Sequence, residues 1–268
     1  MKSNSIAASR LFKDLLNFNM NPVLSEKIFR KEAVDYSAGT MTAKGTAMKS
    51  LLLLIMVLAG ASYTWKIFYE AINPASVQPW LWGGAIGGFV IAMIISFKPN
   101  LAQYLAPIYA VLEGLFLGAI SAMFSQAFAE SAPGIVINAV LLTMLTAFVM
   151  FLVYRTGLIK VNDKFIRIIS IAVGAIALYY FVTIILSLFG VNLVMLHNSG
   201  PLSIGISLVI IGVAAFSLML DFNFIEKASA AGAPKYMEWY GAFGLMVTLI
   251  WLYLEILKLL AKFAGSRD

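Results

Sequence analysis

The chain contains no cysteine and only one histidine in 268 residues. The first absence excludes disulfides, thiolate metal sites and cysteine nucleophiles, while leaving the compartment undefined. The second leaves His197 alone, near a helix end. A Ser–His dyad at membrane depth has no histidine to use, and His197 reads as a solvated loop residue. There is no HExxH, no GxSxG, no phosphate-binding glycine loop and no EF-hand ligand pattern. The expectation is a protein that is not an enzyme and carries no cofactor. Charge is also scarce: 12% of residues, against about 25% in soluble domains. Hydrophobic residues make up 61% of the chain, and the mean hydropathy is +0.90. The sequence therefore predicts an all-α integral membrane protein.

Apolar runs of bilayer length occupy residues 48–69, 80–97, 105–128, 135–154, 165–188, 204–225 and 239–260. The breaks between them carry Pro, Gly or charge, as in Lys98-Pro99-Asn100 and Ser131-Ala132-Pro133-Gly134. This pattern predicts a bundle of seven transmembrane helices over residues 48–262. It is preceded by a tail of residues 1–47, with residues 263–268 as a short C-terminal tail. Within the first tail, residues 9–18 could form a short surface helix, but a loosely ordered tail fits the mixed polarity better. No signal-peptide core precedes the first span, which therefore doubles as an uncleaved targeting signal.

With the N-terminus in the cytoplasm, 15 of the 19 Lys and Arg residues lie on the cytoplasmic side. That bias sets the orientation. The net charge of +6 would suggest nucleic acid in a soluble protein; here the basic tail reads as facing anionic lipid. Lys258, Lys262 and Arg267 run against the bias, so the last segment is either a full span or a re-entrant one.

Carboxylates inside apolar runs are costly and usually face a cavity, a partner or an ion pathway. Asp221 lies in SLMLDFNFIEK and Glu255 in LIWLYLEILKLL. The bland reading of Asp221 is a helix end at the headgroup layer. For Glu255 it is a local pair with Lys258, three residues on. Glu113 lies in APIYAVLEGLFLGAIS, with Tyr109 one turn earlier on the same face and able to donate to it. Gly114 and Gly118, like Gly83, Gly84, Gly87 and Gly88 on the second run, are spaced for close helix contact.

PIYAVLEGLFLGAIS, LDFNFIE and LYLEILKLLAKF, in that order, resemble the Bax inhibitor / YccA-like family, also called transmembrane Bax inhibitor motif proteins. The segment GAPKYMEWYGAFGLMVTLIWLYLEILKLL is especially similar to a bacterial subgroup. The resemblance covers residues 48–262 and implies a bacterial inner or plasma membrane. It further implies a seven-helix bundle with a pH-sensitive calcium leak controlled by two acids. By motif these are Asp221 on the sixth helix and Glu255 on the seventh, where the family usually has Asp. The pair would act as proton sensor, gate and calcium ligands, with Glu113 and Tyr109 as accessory groups. Two such acids in contact would share a proton and titrate as a unit, and oxygen-only ligands suit calcium. An antiparallel hairpin centred on residues 231–234 places Asp221 opposite about residue 245, roughly 15 Å short of Glu255 at the helical rise. Contact between the acids would therefore need an irregular or displaced stretch within residues 222–239.

The expected partners are calcium ions, protons and the lipid bilayer, with no nucleic acid, and the expected state is a monomer. Two other readings use the same residues differently. In a proton-coupled secondary transporter the acids would carry the coupling proton. In an interaction protein that binds a membrane protease or stress partner, they would be structural.

Overall fold

In the computed structural model, residues 39–71, 74–189 and 200–265 are described. His197 and residues 9–18 lie outside them. Seven helices are each long and apolar enough to cross a membrane. They are α1 (Ala43–Ala71), α2 (Gln78–Phe97), α3 (Ala102–Ala127), α4 (Ile135–Thr156), α5 (Asp163–Leu188), α6 (Pro201–Ala230) and α7 (Met237–Gly265). Among the described residues there is no strand, only one isolated antiparallel bridge between Thr40 and Pro234. The all-α, seven-span expectation is met.

Every apolar run becomes a helix, but several helices outlast their runs. α1 starts five residues before residue 48, and α6 ends five residues after residue 225. Hydropathy locates the hydrocarbon crossing, whereas the backbone stays helical until something caps it. Asn162 caps α5, its side chain accepting from the Phe165 N–H at 2.9 Å. Gly232 ends α6 in the left-handed conformation, with φ of 70°. The N–H of Gly232 returns to the Ser229 carbonyl and that of Ala233 to the Ala228 carbonyl, a Schellman closure.

That closure narrows where the backbone between the two acids departs from helix. Residues 222–230 are regular helix, and only the six-residue connection 231–236 is not. The structure has no irregular stretch between Asp221 and Ala230. α7 is likewise one unbroken helix of 29 residues, a length that favours a full last span over a re-entrant one.

The chain forms two compact units, whose boundaries fall within α3, α6 and α7. Among the described residues, the first comprises 39–71, 74–123 and 221–247, the second 124–189, 200–220 and 248–265. In the first unit α3 is the packing centre. A β-carbon on Gly114 would collide with the Val57 carbonyl of α1, and one on Gly118 with the Ala61 carbonyl. From the other side, a β-carbon on Gly84 of α2 would lie 2.5 Å from the Leu112 carbonyl oxygen. Small residues thus let backbones approach closely, the usual basis of helix association in lipid. Phe68, Val77, Ala119 and Ala122 form a buried cluster, with Trp65, Leu81 and Met123 packed against it.

In the second unit the Phe165 ring meets the Phe216 ring edge-on at 5.7 Å. Leu141, Leu145 and Phe148 of α4, with Ile171, Leu178 and Phe181 of α5, point outward. An exposed apolar surface of that extent suits acyl chains rather than water.

The glycine contacts make a prediction opposite in sign at two positions. Gly→Ala within a helix ordinarily stabilises by about 1 kcal/mol. Gly83→Ala, with nothing within 4 Å of the new carbon, should raise the melting temperature in detergent or leave it unchanged. Gly118→Ala should lower it, because overpacking costs about 1–3 kcal/mol. Equal shifts would contradict this packing.

Candidate functional site

Of the acids in these helices, four are withdrawn from the surface, Glu113, Asp221, Glu238 and Glu255, whereas Glu70, Asp163 and Glu226 are exposed. Asp221 belongs to the first unit and is only 5% exposed. It lies nine residues before the end of α6, about 14 Å along the axis. Asp221 therefore does not mark the helix end: it is in the body of α6. Burial of a carboxylate there costs free energy unless donors or a partner meet it.

Glu255 belongs to the second unit and is 2% exposed. The Tyr180 hydroxyl of α5 donates to its Oε1 at 2.8 Å, and the Lys258 ammonium donates to the same oxygen at 2.6 Å. Lys258 Nζ also lies 3.0 Å from the Tyr180 hydroxyl and 4.8 Å from the centroid of its ring. The local pair with Lys258 is thus present, and Tyr180 extends it into a triad. Lys258 keeps 40% of its side chain exposed while its ammonium is bonded to the buried carboxylate. One turn on, Lys262 donates to Ser207 Oγ at 2.7 Å and to the Ser203 carbonyl at 3.3 Å. Two of the C-terminal cations that ran against the charge bias are therefore engaged by protein groups.

Glu113, on α3, is half-buried. It forms the expected side-chain hydrogen bond with Tyr109. The Tyr109 ring packs edge-on against Phe243 of α7, 4.9 Å between centroids. Gly88 of α2 makes room for the carboxylate: a β-carbon there would lie 2.6 Å from Glu113 Oε1. Within the first unit, then, Gly84 and Gly87 serve packing and Gly88 admits an acid, whereas Gly83, also expected at a close contact, faces open space.

Sequence reasoning missed the fourth acid. Glu238, in the first turn of α7, is completely buried. Its Oε1 accepts from the Thr42 N–H at 3.0 Å, the Thr42 hydroxyl at 2.9 Å and Lys235 Nζ at 2.7 Å. Its Oε2 accepts from Lys49 Nζ, which also lies 5.4 Å from the Trp239 ring centroid. Removing the carboxylate would leave the Thr42 donors and Lys49 without this acceptor. The available signal was weak: an acid in a first turn, three residues after Lys235. Tyr180 gave none, being 75 residues from Glu255.

Asp221 and Glu255 fall in different units; Tyr109 and Glu113 are brought together, as are Tyr180, Glu255 and Lys258. Among the described residues, no three His, Cys, Asp or Glu side chains gather as a metal site.

No curated protein and no solved structure matches the chain. The profile of one family does, described as Bax inhibitor 1 like, over residues 21–265. With most of its length matched, including every segment that carries the buried acids, the chain belongs to the Bax inhibitor 1-like family.

Proposed function

We propose that this protein is a pH-regulated calcium leak pathway, not an enzyme, acting as a single chain in a bacterial inner or plasma membrane. Asp221 and Glu255 are its titrating and ion-contacting groups. The observation that carries the reading is the burial of both acids in the bodies of apolar helices, 5% and 2% exposed. Gaining or losing a proton at that depth changes charge where solvent screens it least, so the two protonation states favour different packings. The family membership and the motifs around the two acids support the same reading.

The surroundings of Glu255 suggest how a cation enters. Its carboxylate already holds a cation on a tether, the Lys258 ammonium at 2.6 Å. A calcium ion reaching Glu255 has to displace that ammonium, and Lys258 is half-exposed and able to swing away. Tyr180 then remains as donor to the carboxylate, keeping its orientation. A carboxylate oxygen set suits a hard cation that is bound weakly enough to leave again. Calcium and protons thus compete for the same oxygens, which ties conduction to pH.

In liposomes holding the purified protein, calcium efflux should vary with pH. Asp221→Asn and Glu255→Gln should each flatten that dependence. Unchanged flux and unchanged pH dependence in both variants would overturn the assignment. Accumulation of calcium against its gradient would indicate a proton-coupled transporter instead.

Lys258→Met keeps the apolar stem and removes the tethered cation. It should lower the calcium concentration for half-maximal flux by roughly tenfold, the scale of one charge-assisted hydrogen bond. A titration curve that does not move would remove Lys258 from the pathway.

A further inference from the structure

The N-terminus of α1 is capped in an unusual way. Thr42 is its N-cap, the hydroxyl accepting from the Gly45 N–H at 2.9 Å. In a capping box, the residue three positions after the cap supplies a carboxylate to the cap's own N–H. Here that position is Gly45, and the carboxylate comes from Glu238, 196 residues away. A β-carbon on Gly45 would strike the Glu238 carboxylate. The missing side chain leaves the space that a distant one fills.

This cap does not stand alone. The strap before α1 is laid along the α6–α7 connection. Met41 N–H donates to the Ala233 carbonyl at 2.7 Å, and Lys235 N–H to the Gly39 carbonyl at 3.2 Å. Between them Thr40 and Pro234 form the antiparallel bridge. From the end of α6, the Ser229 hydroxyl donates to the Met41 carbonyl at 3.3 Å. A β-carbon on Gly241 of α7 would lie 3.2 Å from both Ile225 and Thr46 and 3.4 Å from Met41. The start of α1, the end of α6 and the start of α7 are joined at one place, all within the first unit. The centre of the join is buried: Met41, Met237, Glu238 and Tyr240 are each 1% exposed or less.

We propose that Glu238 is a positioning residue, the pin of a latch that holds this end of α1, α6 and α7 closed. The proposal rests on the leak reading above. A hydrated path cannot pass a junction filled by buried methionines, a tyrosine and a fully engaged carboxylate. Opening there requires the strap and the α6–α7 connection to part, which breaks the bonds of Thr42 and Lys49 to Glu238. Asp221 lies on α6 and Glu238 begins α7, so the latch acts on the helices that carry the acids of the pathway.

The absence of native cysteine makes the test clean. Thr40→Cys with Pro234→Cys places two thiols at the bridge, where directly opposed residues are close enough for a disulfide. Disulfide formation under mild oxidant reads the latch, and calcium efflux from liposomes reads the pathway. In this background Glu238→Gln and Gly45→Ala should each slow cross-linking several-fold and raise calcium efflux, by roughly tenfold if one charge-assisted bond is lost. Gly45→Ala alters no charge, so it guards against a Glu238→Gln protein that fails to fold. Oxidation to the locked form should return efflux in Gly45→Ala to the parent level, and dithiothreitol should release it again. A purely structural role would not give that reversible control. Unchanged cross-linking in both variants, or efflux indifferent to the lock, would overturn the latch while the leak stands. Absence of calcium efflux from the parent protein itself would overturn the leak reading, and the latch with it.

Discussion

Inside hydrocarbon, no water is available to the backbone, and each unmet N–H or carbonyl costs several kcal/mol. The molecule follows from that constraint. Each apolar run is one unbroken helix, and its irregular backbone is confined to the ends. There the orphan groups are met by particular devices: Asn162 at the start of α5, Gly232 after α6, Thr42 before α1. The same constraint selects glycine where helices cross. Once backbone bonding is satisfied within each helix, association rests on close packing, and Gly84, Gly114 and Gly118 allow it.

Carboxylates are the second class of group that the apolar interior must accommodate. Glu113 has a tyrosine on its own helix and the space above a glycine on the next. Glu255 has a tyrosine and a lysine, the lysine only half withdrawn from the surface. Glu238 has two lysines and both donors of one threonine. These are graded environments. The most heavily bonded acid ties the start of α7 to the start of α1, whereas Glu255 is paired with one lysine whose side chain is 40% exposed. Such a gradation separates an acid locked by several donors from acids with fewer partners.

The separation has consequences for reading membrane proteins from acidic residues alone. Glu238 lies close to a helix start and looked unremarkable beside Asp221 and Glu255, yet it is the most completely buried of the four. Depth in an apolar run marks an acid as costly. It does not say which donors meet that cost.

Fold class, number of spans and, of the three buried acids, Asp221 and Glu255 were legible in the sequence, as was the half-buried Glu113. Hydropathy and helical period are properties of consecutive residues, and a bilayer leaves few alternatives to a helix. The Tyr109–Glu113 and Glu255–Lys258 contacts were legible for the same reason, lying within one turn. The regularity of α6 through residues 222–230 was not, because a polar run signals the end of hydrocarbon and not the end of helix. Nor were Tyr180 on Glu255 or Thr42 and Lys49 on Glu238, which are 75, 196 and 189 residues apart. Contacts at such separations are decided by how helices pack, and the packing rests on many weak steric choices that no short stretch of sequence contains.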